Sequence, residues 1–153
     1  MDGQAVASET PPRLWALSRP ECLELLAGGS IGRLGLSIGA LPVILPVNYV
    51  LVHESLMFRT VHGTKLDAAT RNAVVAFEVD EFESDGSAGW SVLVRGIASE
   101  ITDRHLLAQA RSRPLSSWAL DGLADHYVLI GTDEITRRRF DNLTRTRPYA
   151  VRT

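Results

Sequence analysis

The fold is decided by residues 31–60, which read IGRLGLSIGALPVILPVNYVLVHESLMFRT. Near the start of this segment, leucine and isoleucine alternate with polar residues or glycine, which is the period of a half-buried strand. Gly39-Ala40 and His53-Glu54 have the character of short turns between apolar runs. The segment predicts three successive strands, at Leu34–Ile38, Pro42–Val52 and Ser55–Thr60. Strands joined by hairpins pair in an antiparallel sheet.

The rest of the chain adds further strands and short helices around this centre. Ser18 and Glu21 flank an early proline in the pattern of a capping box, which predicts a helix up to Ala27. Helices are also predicted from Thr64 to about Arg71, from Thr102 to Pro114 and around Ser116–Leu123. Further strands are predicted at Ala73–Val79 and Trp90–Ile101, and as a final hairpin at Tyr127–Ile130 and Ile135–Phe140. This pattern predicts a mainly β fold, a small β-barrel with peripheral helices.

Length and composition limit the class of protein. The chain has 153 residues, of which 45% are hydrophobic and 22% charged, as is typical of one globular domain. We expect residues 1–17 to form a flexible arm and residues 18–153 to form a single domain. The net charge of −2 gives no support for nucleic-acid binding, and no apolar run is long enough to span a membrane. We therefore expect a cytoplasmic protein.

Cysteine, histidine and serine patterns argue against three common kinds of site. The single cysteine, Cys22, excludes an intrachain disulfide, and its leucine neighbours predict a buried thiol. The four histidines lie far apart and form no H-E-x-x-H motif, so no metal site is predicted. The G-x-S-x-G pattern at residues 28–32 follows a helix and precedes a strand. A nucleophile elbow needs the reverse order, so this serine is not assigned a catalytic role.

The stretch richest in chemistry is Phe58–Leu66, where a strand ends, Gly63 turns the chain and a helix begins at Thr64. The N-terminus of a helix offers free amides, which suit a phosphate. Four side chains around the turn would add hydrogen bonds or charge: Arg59, Thr60, Thr64 and Lys65. Lys65 is also the only lysine of the chain. The same residues are equally well explained by a helix cap formed by Thr64 and Asp67, with Lys65 facing water.

Four motifs occur in an order and spacing that resemble a known family. They are PVNYV at residues 46–50, FRT and GTKL within residues 58–66, VAFEVD at residues 75–80 and GWSVLVRG at residues 89–96. Together they resemble the pyridoxamine 5′-phosphate oxidase-like, FMN-binding split-barrel proteins. The likeness is greatest to the small actinobacterial-type members of unassigned substrate. It extends over about Ser18–Asp103 and, less strongly, over the predicted final hairpin.

The resemblance implies an antiparallel split barrel of Greek-key type that forms a homodimer, with FMN bound at the subunit interface. It assigns phosphate and ribityl contacts to Arg59, Thr60, Thr64 and Lys65. It assigns the strand edge whose backbone meets the flavin ring to Pro46, Val47, Asn48 and Tyr49. It assigns the contribution of the second subunit to Trp90 and Ser91. A tryptophan at this position is equally typical of a core or of a dimer interface.

The resemblance further implies a flavin-dependent oxidoreductase that passes hydride between a reductant and a small organic substrate. The Arg-x-His element with which true pyridoxamine phosphate oxidases hold their substrate is absent, so that particular activity is not implied. No catalytic residue is assigned, and His62 is the only candidate acid or base.

Two alternatives to this function stay open. One is a split barrel that uses a deazaflavin coenzyme, whose acidic tail needs a basic groove. The arginines available for such a groove are Arg137, Arg138, Arg139, Arg145 and Arg147. In a strand the first three alternate between opposite sides, so they also fit a solvated edge strand. The other alternative is a flavin-binding or flavinless interaction module without turnover.

Overall fold

The computed structural model describes residues 13–113, 115 and 125–141, which form eight strands and three helices. The strands are β1 Arg13–Trp15, β2 Ile31–Ile38, β3 Leu41–Val52, β4 Ser55–Val61, β5 Ala73–Phe82, β6 Ala88–Glu100, β7 Asp125–Gly131 and β8 Glu134–Asp141. The helices are α1 Arg19–Gly28, α2 Lys65–Ala69 and α3 Arg104–Arg111. Among the described helices, none has the length and apolar character needed to cross a membrane.

Within the described residues, six strands close into an antiparallel barrel. From β2 the ladder passes through β3, β4, β7, β6 and β5 and returns to β2. Outside this ring, β8 pairs with β6 and β1 pairs with β8. Alternate side chains of the strands fill the interior, among them Leu34, Phe58, Phe77, Val92 and Ile130. The predicted antiparallel barrel is therefore confirmed.

The prediction that β7 and β8 form a hairpin is wrong, because both strands pair with the same edge of β6. Residues 88–95 of β6 pair with β8, whereas residues 98–100 pair with β7. At the change of partner, a Cβ on Gly96 would lie 3.2 Å from the Gly131 carbonyl oxygen, so glycine permits a close backbone approach. The link between β7 and β8 contacts the turn between β3 and β4, where the Thr132 hydroxyl donates to the Glu54 carbonyl at 2.6 Å.

Residues 13–17, which the sequence analysis assigned to a flexible arm, belong to the folded unit. Arg13–Trp15 pairs with the outer edge of β8, and the side chain of Leu17 is buried. Residues 1–12 lie outside the described residues, as does the helix expected around Ser116–Leu123. The cap of α3 is also corrected: Asp103, not Thr102, accepts hydrogen bonds from two N–H groups of the first turn.

Helix α1 is attached to the barrel by a buried tyrosine. The capping box at Ser18 and Glu21 is confirmed at its start. At its other end, the Tyr49 hydroxyl donates to the Leu26 carbonyl at 2.6 Å, and the Tyr49 ring packs edge-on against Phe77 with centroids 5.0 Å apart. Burial raises the pKa of Tyr49 to about 12. The neutral phenol therefore holds the helix against β3.

We expect Tyr49→Phe to lower the free energy of unfolding by about 1 kcal/mol, because one buried hydrogen bond is lost. The raised pKa of Tyr49 has a second consequence. Between about pH 10 and 12 the unfolded tyrosine ionises and the folded one does not, so the native protein loses stability as the pH rises. Urea unfolding at neutral and alkaline pH measures both effects. A variant that keeps the full alkaline loss of the wild type would contradict this role of Tyr49.

Candidate functional site

Residues 59–67, at the turn between β4 and α2, form a unit that we call the corner. Gly63 has φ of 78°, a conformation that glycine adopts without strain, and it lets the chain turn. Thr64 caps α2: its hydroxyl accepts from the Asp67 N–H at 3.1 Å and donates to the Val61 carbonyl at 2.8 Å. The helix-cap explanation for Thr64 and Asp67 is therefore confirmed.

The buried carboxylate of Asp67 connects the corner to the barrel wall. It is 3% exposed. Its Oδ1 accepts from the Thr60 hydroxyl at 3.2 Å and from His126 Nδ1 at 2.7 Å. Its Oδ2 accepts from the Gly63 N–H and from the Arg71 guanidinium, each at 3.0 Å. These four hydrogen bonds use the lone pairs of both oxygens and join β4, the corner, α2 and β7.

The same contacts keep Asp67 ionised. Burial opposes the charged form and by itself would raise the pKa of the carboxyl group. The hydrogen bonds from the Gly63 amide, His126 and Thr60 outweigh burial, and the pKa of Asp67 falls from 3.8 to about 2. The corner therefore contains a fixed negative charge at neutral pH.

Two histidines and a glutamate continue from Asp67 toward the surface. His126 Nε2 lies 2.9 Å from His62 Nδ1 and 3.6 Å from Glu100 Oε1. His62 belongs to the corner, Glu100 ends β6, and His126 lies on β7. Three separate elements therefore bring these side chains together. We call Asp67, His126, His62 and Glu100 the Asp67 cluster.

The predicted flavin-facing segment Pro46–Tyr49 lies where β3 changes neighbour. Strand β3 pairs with β2 as far as Asn48 and with β4 from Tyr49 onward. The side chains of Val47 and Tyr49 are buried in the barrel, whereas Pro46 and Asn48 lie on its outer face. A ligand outside the barrel would therefore meet the strand backbone and the outward face of Pro46 and Asn48, and not the side chains of Val47 and Tyr49.

The predicted phosphate contacts all lie in the corner, but both threonine hydroxyls already donate within it. Thr60 donates to Asp67, and Thr64 donates to the Val61 carbonyl. The Arg59 guanidinium donates to the Leu115 carbonyl at 2.8 Å, and Lys65 is the first residue of α2. A phosphate at this corner would thus depend on basic side chains and backbone amides more than on hydroxyl groups.

Trp90 and Ser91 lie in a different part of the barrel from the corner. Glu100 lies near the corner, because it contacts His126 at 3.6 Å. Trp90 is on the same strand, β6. Their separation of ten positions corresponds to about 30 Å along a strand. Trp90 instead lines clefts with residues of α1 and β8, such as Leu25 and Arg139. The assignment of Trp90 and Ser91 to the site of a second protomer stays a prediction.

Most of the Asp67 cluster was not predicted from the sequence. Asp67 was predicted only as part of a helix cap, and neither His126 nor Glu100 was assigned a role. His126 follows Asp67 by 59 residues, and their contact arises from the pairing of β4 with β7. No local pattern carries this information. Strand pairing is the only signal that could have found it.

Comparison with known proteins decides the family. Residues 18–139 match the family model of pyridoxamine 5′-phosphate oxidase. The chain belongs to this family. An uncharacterized protein of Mycobacterium tuberculosis is 34% identical over 135 residues, which are 85% of this chain and 88% of the relative.

Solved structures of similar proteins confirm the split-barrel fold. An FAD binding protein from Mycobacterium smegmatis is 36% identical with a TM-score of 0.71, covering 82% of this chain and 99% of that one. A conserved protein of unknown function from Corynebacterium diphtheriae is 30% identical with a TM-score of 0.67, covering 83% of this chain and 98% of that one. The resemblance to actinobacterial members of the pyridoxamine 5′-phosphate oxidase family is confirmed.

In this family member we expect Asp67→Asn to lower the free energy of unfolding by about 1–3 kcal/mol, because buried donors lose their acceptor. The pKa of the folded Asp67 lies below its unfolded value. Its contribution to stability is therefore present above pH 3.8 and is lost as the pH falls toward 2.

Urea unfolding between pH 7 and pH 2 measures both effects, and the gap between wild type and variant should narrow in acid. Asp85→Asn is the matched control, because Asp85 is exposed and accepts only from the nearby Ser87 N–H among the contacts described. Equal stability of Asp67→Asn and Asp85→Asn at neutral pH would contradict the role of Asp67.

Proposed function

We propose that this protein is a homodimeric, flavin-binding oxidoreductase. One observation carries the proposal: the family match includes the barrel and the corner, and a 36% identical structural relative is an FAD binding protein. FMN and FAD share the isoalloxazine ring, the ribityl chain and the first phosphate. The same protein surface can therefore take this shared part of either cofactor.

A cleft beside the predicted flavin-facing segment Pro46–Tyr49 could form one side of a flavin site. A cleft of about 290 Å³ is lined by Ile31, Arg33, Pro46 and Asp80. Ligand pockets usually enclose about 300–1,000 Å³, so a cleft of this size needs a second wall. Arg33 is held in place by Asp80 at 2.9 Å. A second protomer on this face would cover the ring.

The outer face of β3, β2, β5 and β6 offers the apolar surface for that protomer. Ile44, Val74 and Ile97 are 73%, 77% and 59% exposed. Val74 of β5 pairs directly with Ile97 of β6. Ile44 lies on β3, which is separated from β5 by the single strand β2. Exposed aliphatic side chains gathered on one sheet face mark an interaction surface. We assign the homodimer contact to this face, which also contains Pro46.

The phosphate of the cofactor is assigned to the corner, on the family resemblance and the chemistry of the residues. Arg59 and Lys65 would supply charge-assisted hydrogen bonds. Thr60 and Thr64 would act mainly by holding the corner in shape, because their hydroxyl protons are already used. Trp90 and Ser91 of the second protomer would complete the cover of the ring.

The flavin, when bound, supplies hydride transfer, and the chain supplies its binding and orientation. Strand backbone at Pro46–Tyr49 would align the ring, and the second protomer would exclude water from it. His62 is an exposed residue of the corner and is the candidate for proton transfer to or from a small organic substrate. Oxidation of NAD(P)H by the flavin-loaded protein separates this function from a binding module without turnover.

Titration of the protein with FMN, FAD and a deazaflavin coenzyme is expected to show the tightest binding for a flavin. Replacement of the single lysine, Lys65→Ala, should weaken both flavins by about tenfold or more, because a charged contact to phosphate is lost. Quenching of flavin fluorescence measures each dissociation constant.

Arg111→Ala is the control for a general loss of positive charge, because Arg111 is an exposed residue at the end of α3. It should bind flavin as the wild type does. Tighter binding of deazaflavin would favour the alternative coenzyme. Equal affinities of Lys65→Ala and Arg111→Ala would remove the corner from the cofactor site.

The dimer is tested by Val74→Arg, which places a charge in the proposed apolar contact. Sedimentation should show a dimer for the wild type and a monomer for this variant, with flavin affinity lowered because one wall of the site is lost. Leu14→Arg is the control, since Leu14 is 67% exposed on β1 at the outer edge of the sheet. A Val74→Arg protein that remains a dimer would exclude this face as the contact.

A further inference from the structure

Two histidines that are distant in the sequence meet beside the corner. His62, Asp67 and His126 offer ligand atoms within 4.8 Å of one another, and Glu100 lies next to His126. The geometry points to a divalent transition-metal site with His62 Nδ1, His126 Nε2 and Glu100 Oε1 as ligands. Asp67 is its orienting carboxylate. This site goes beyond the proposed function and does not depend on a bound flavin.

Asp67 positions His126 and is not itself a ligand. Its two oxygens already accept four hydrogen bonds, so they keep no lone pair for a metal. An ionised carboxylate only accepts, so the hydrogen of a neutral His126 ring lies on Nδ1. His126 Nε2 is then the nitrogen with the lone pair, and it faces His62 Nδ1 at 2.9 Å rather than Asp67. Metal-binding histidines are commonly held in this way, with a carboxylate on the other ring nitrogen.

Two of the distances between the ligand atoms are close to those of a tetrahedral site. With zinc–nitrogen bonds of about 2.0–2.1 Å, neighbouring ligand atoms lie about 3.3 Å apart. His126 Nε2 lies 2.9 Å from His62 Nδ1 and 3.6 Å from Glu100 Oε1. Bringing each of these two pairs to tetrahedral spacing needs a shift of only a few tenths of an ångström. The His62 ring can make this shift, because it is 59% exposed on the turn.

The charges of the cluster also favour a cation at this point. The negative charge of Asp67 is matched by Arg71 at 3.0 Å. Beyond it, His126 Nε2 lies 2.9 Å from His62 Nδ1 and 3.6 Å from the Glu100 carboxylate, so three groups that can bind a cation converge on one point. A divalent cation between them would take the place of the hydrogen shared by the two imidazoles and would be neutralised in part by the Glu100 carboxylate.

The ligand set selects the class of metal. Two imidazoles and one carboxylate suit Zn²⁺, Co²⁺ or Ni²⁺, whereas Mg²⁺ and Ca²⁺ favour oxygen ligands. Three protein ligands leave a fourth position for water or for an oxygen atom of a bound molecule. That position is open to solvent, because the side chains of His62 and Glu100 are 59% and 41% exposed.

The test uses the full chain, made without a histidine tag and stripped of metal by a chelator. Calorimetry with Zn²⁺ should show one ion per chain, and Co²⁺ should give the visible bands of a tetrahedral complex. His62→Gln and His126→Gln should each weaken Zn²⁺ binding by about 100-fold or more, since outer-shell partners alone are worth about 10–100-fold. Glu100→Gln should weaken it by about tenfold or more, and Asp67→Asn by about 10–100-fold.

His105→Gln is the matched control, because His105 is an exposed histidine on α3 whose side chain is outside the cluster. It should bind Zn²⁺ as the wild type does. Absence of saturable Zn²⁺ binding, unchanged binding in His62→Gln, or an equal loss in His105→Gln would overturn the proposal. His62 is exposed, so its variant should fold, and thermal unfolding without metal verifies this. Measurement with and without FMN separates this result from failure of flavin binding.

Discussion

The buried carboxylate of Asp67 is the contact on which the shape of the corner depends. It accepts hydrogen bonds from Thr60, Gly63, Arg71 and His126, which belong to four different parts of the fold. A buried charge is tolerated only when it is paired and fully hydrogen-bonded, so each of these groups is constrained by the others. The position of the turn after β4 therefore follows from one side chain. The proposed phosphate contacts and one proposed metal ligand, His62, lie on this turn, and the same carboxylate holds a second ligand, His126.

Strand β6 determines where these surfaces lie on the barrel. Its first part pairs with β8 and its last part with β7, so it extends past the closed ring at one end. Glu100 at the far end reaches the Asp67 cluster, while Trp90 near the start lies in another region. The outer face between them contains Val74 and Ile97. Because the corner and Trp90 of one chain lie in different regions of the barrel, they cannot contact the same flavin. A complete flavin site is therefore proposed to need Trp90 from a second protomer.

Local patterns predicted most of the elements, because their causes are local. The period of residues 31–60, the capping box at Ser18 and the turn at Gly63 each depend on neighbours in sequence, and all three are found in the structure. The prediction of a final hairpin was wrong, because the short link between β7 and β8 does not reveal that both strands pair with β6 instead of with each other. The Asp67–His126 contact was missed for the same reason, since it depends on pairing across 59 residues.

The family resemblance identified the fold, and it predicts the region of the cofactor site. Within that region, the predicted phosphate contacts fall into two groups. Thr60 and Thr64 serve the internal hydrogen bonds of the corner, whereas Arg59 and Lys65 remain the proposed contacts to the cofactor. Native mass spectrometry of the protein saturated with FMN tests the central claim most directly. The account predicts a dimer that carries two flavins. A flavin-bearing monomer, or a dimer that carries no flavin, would contradict it.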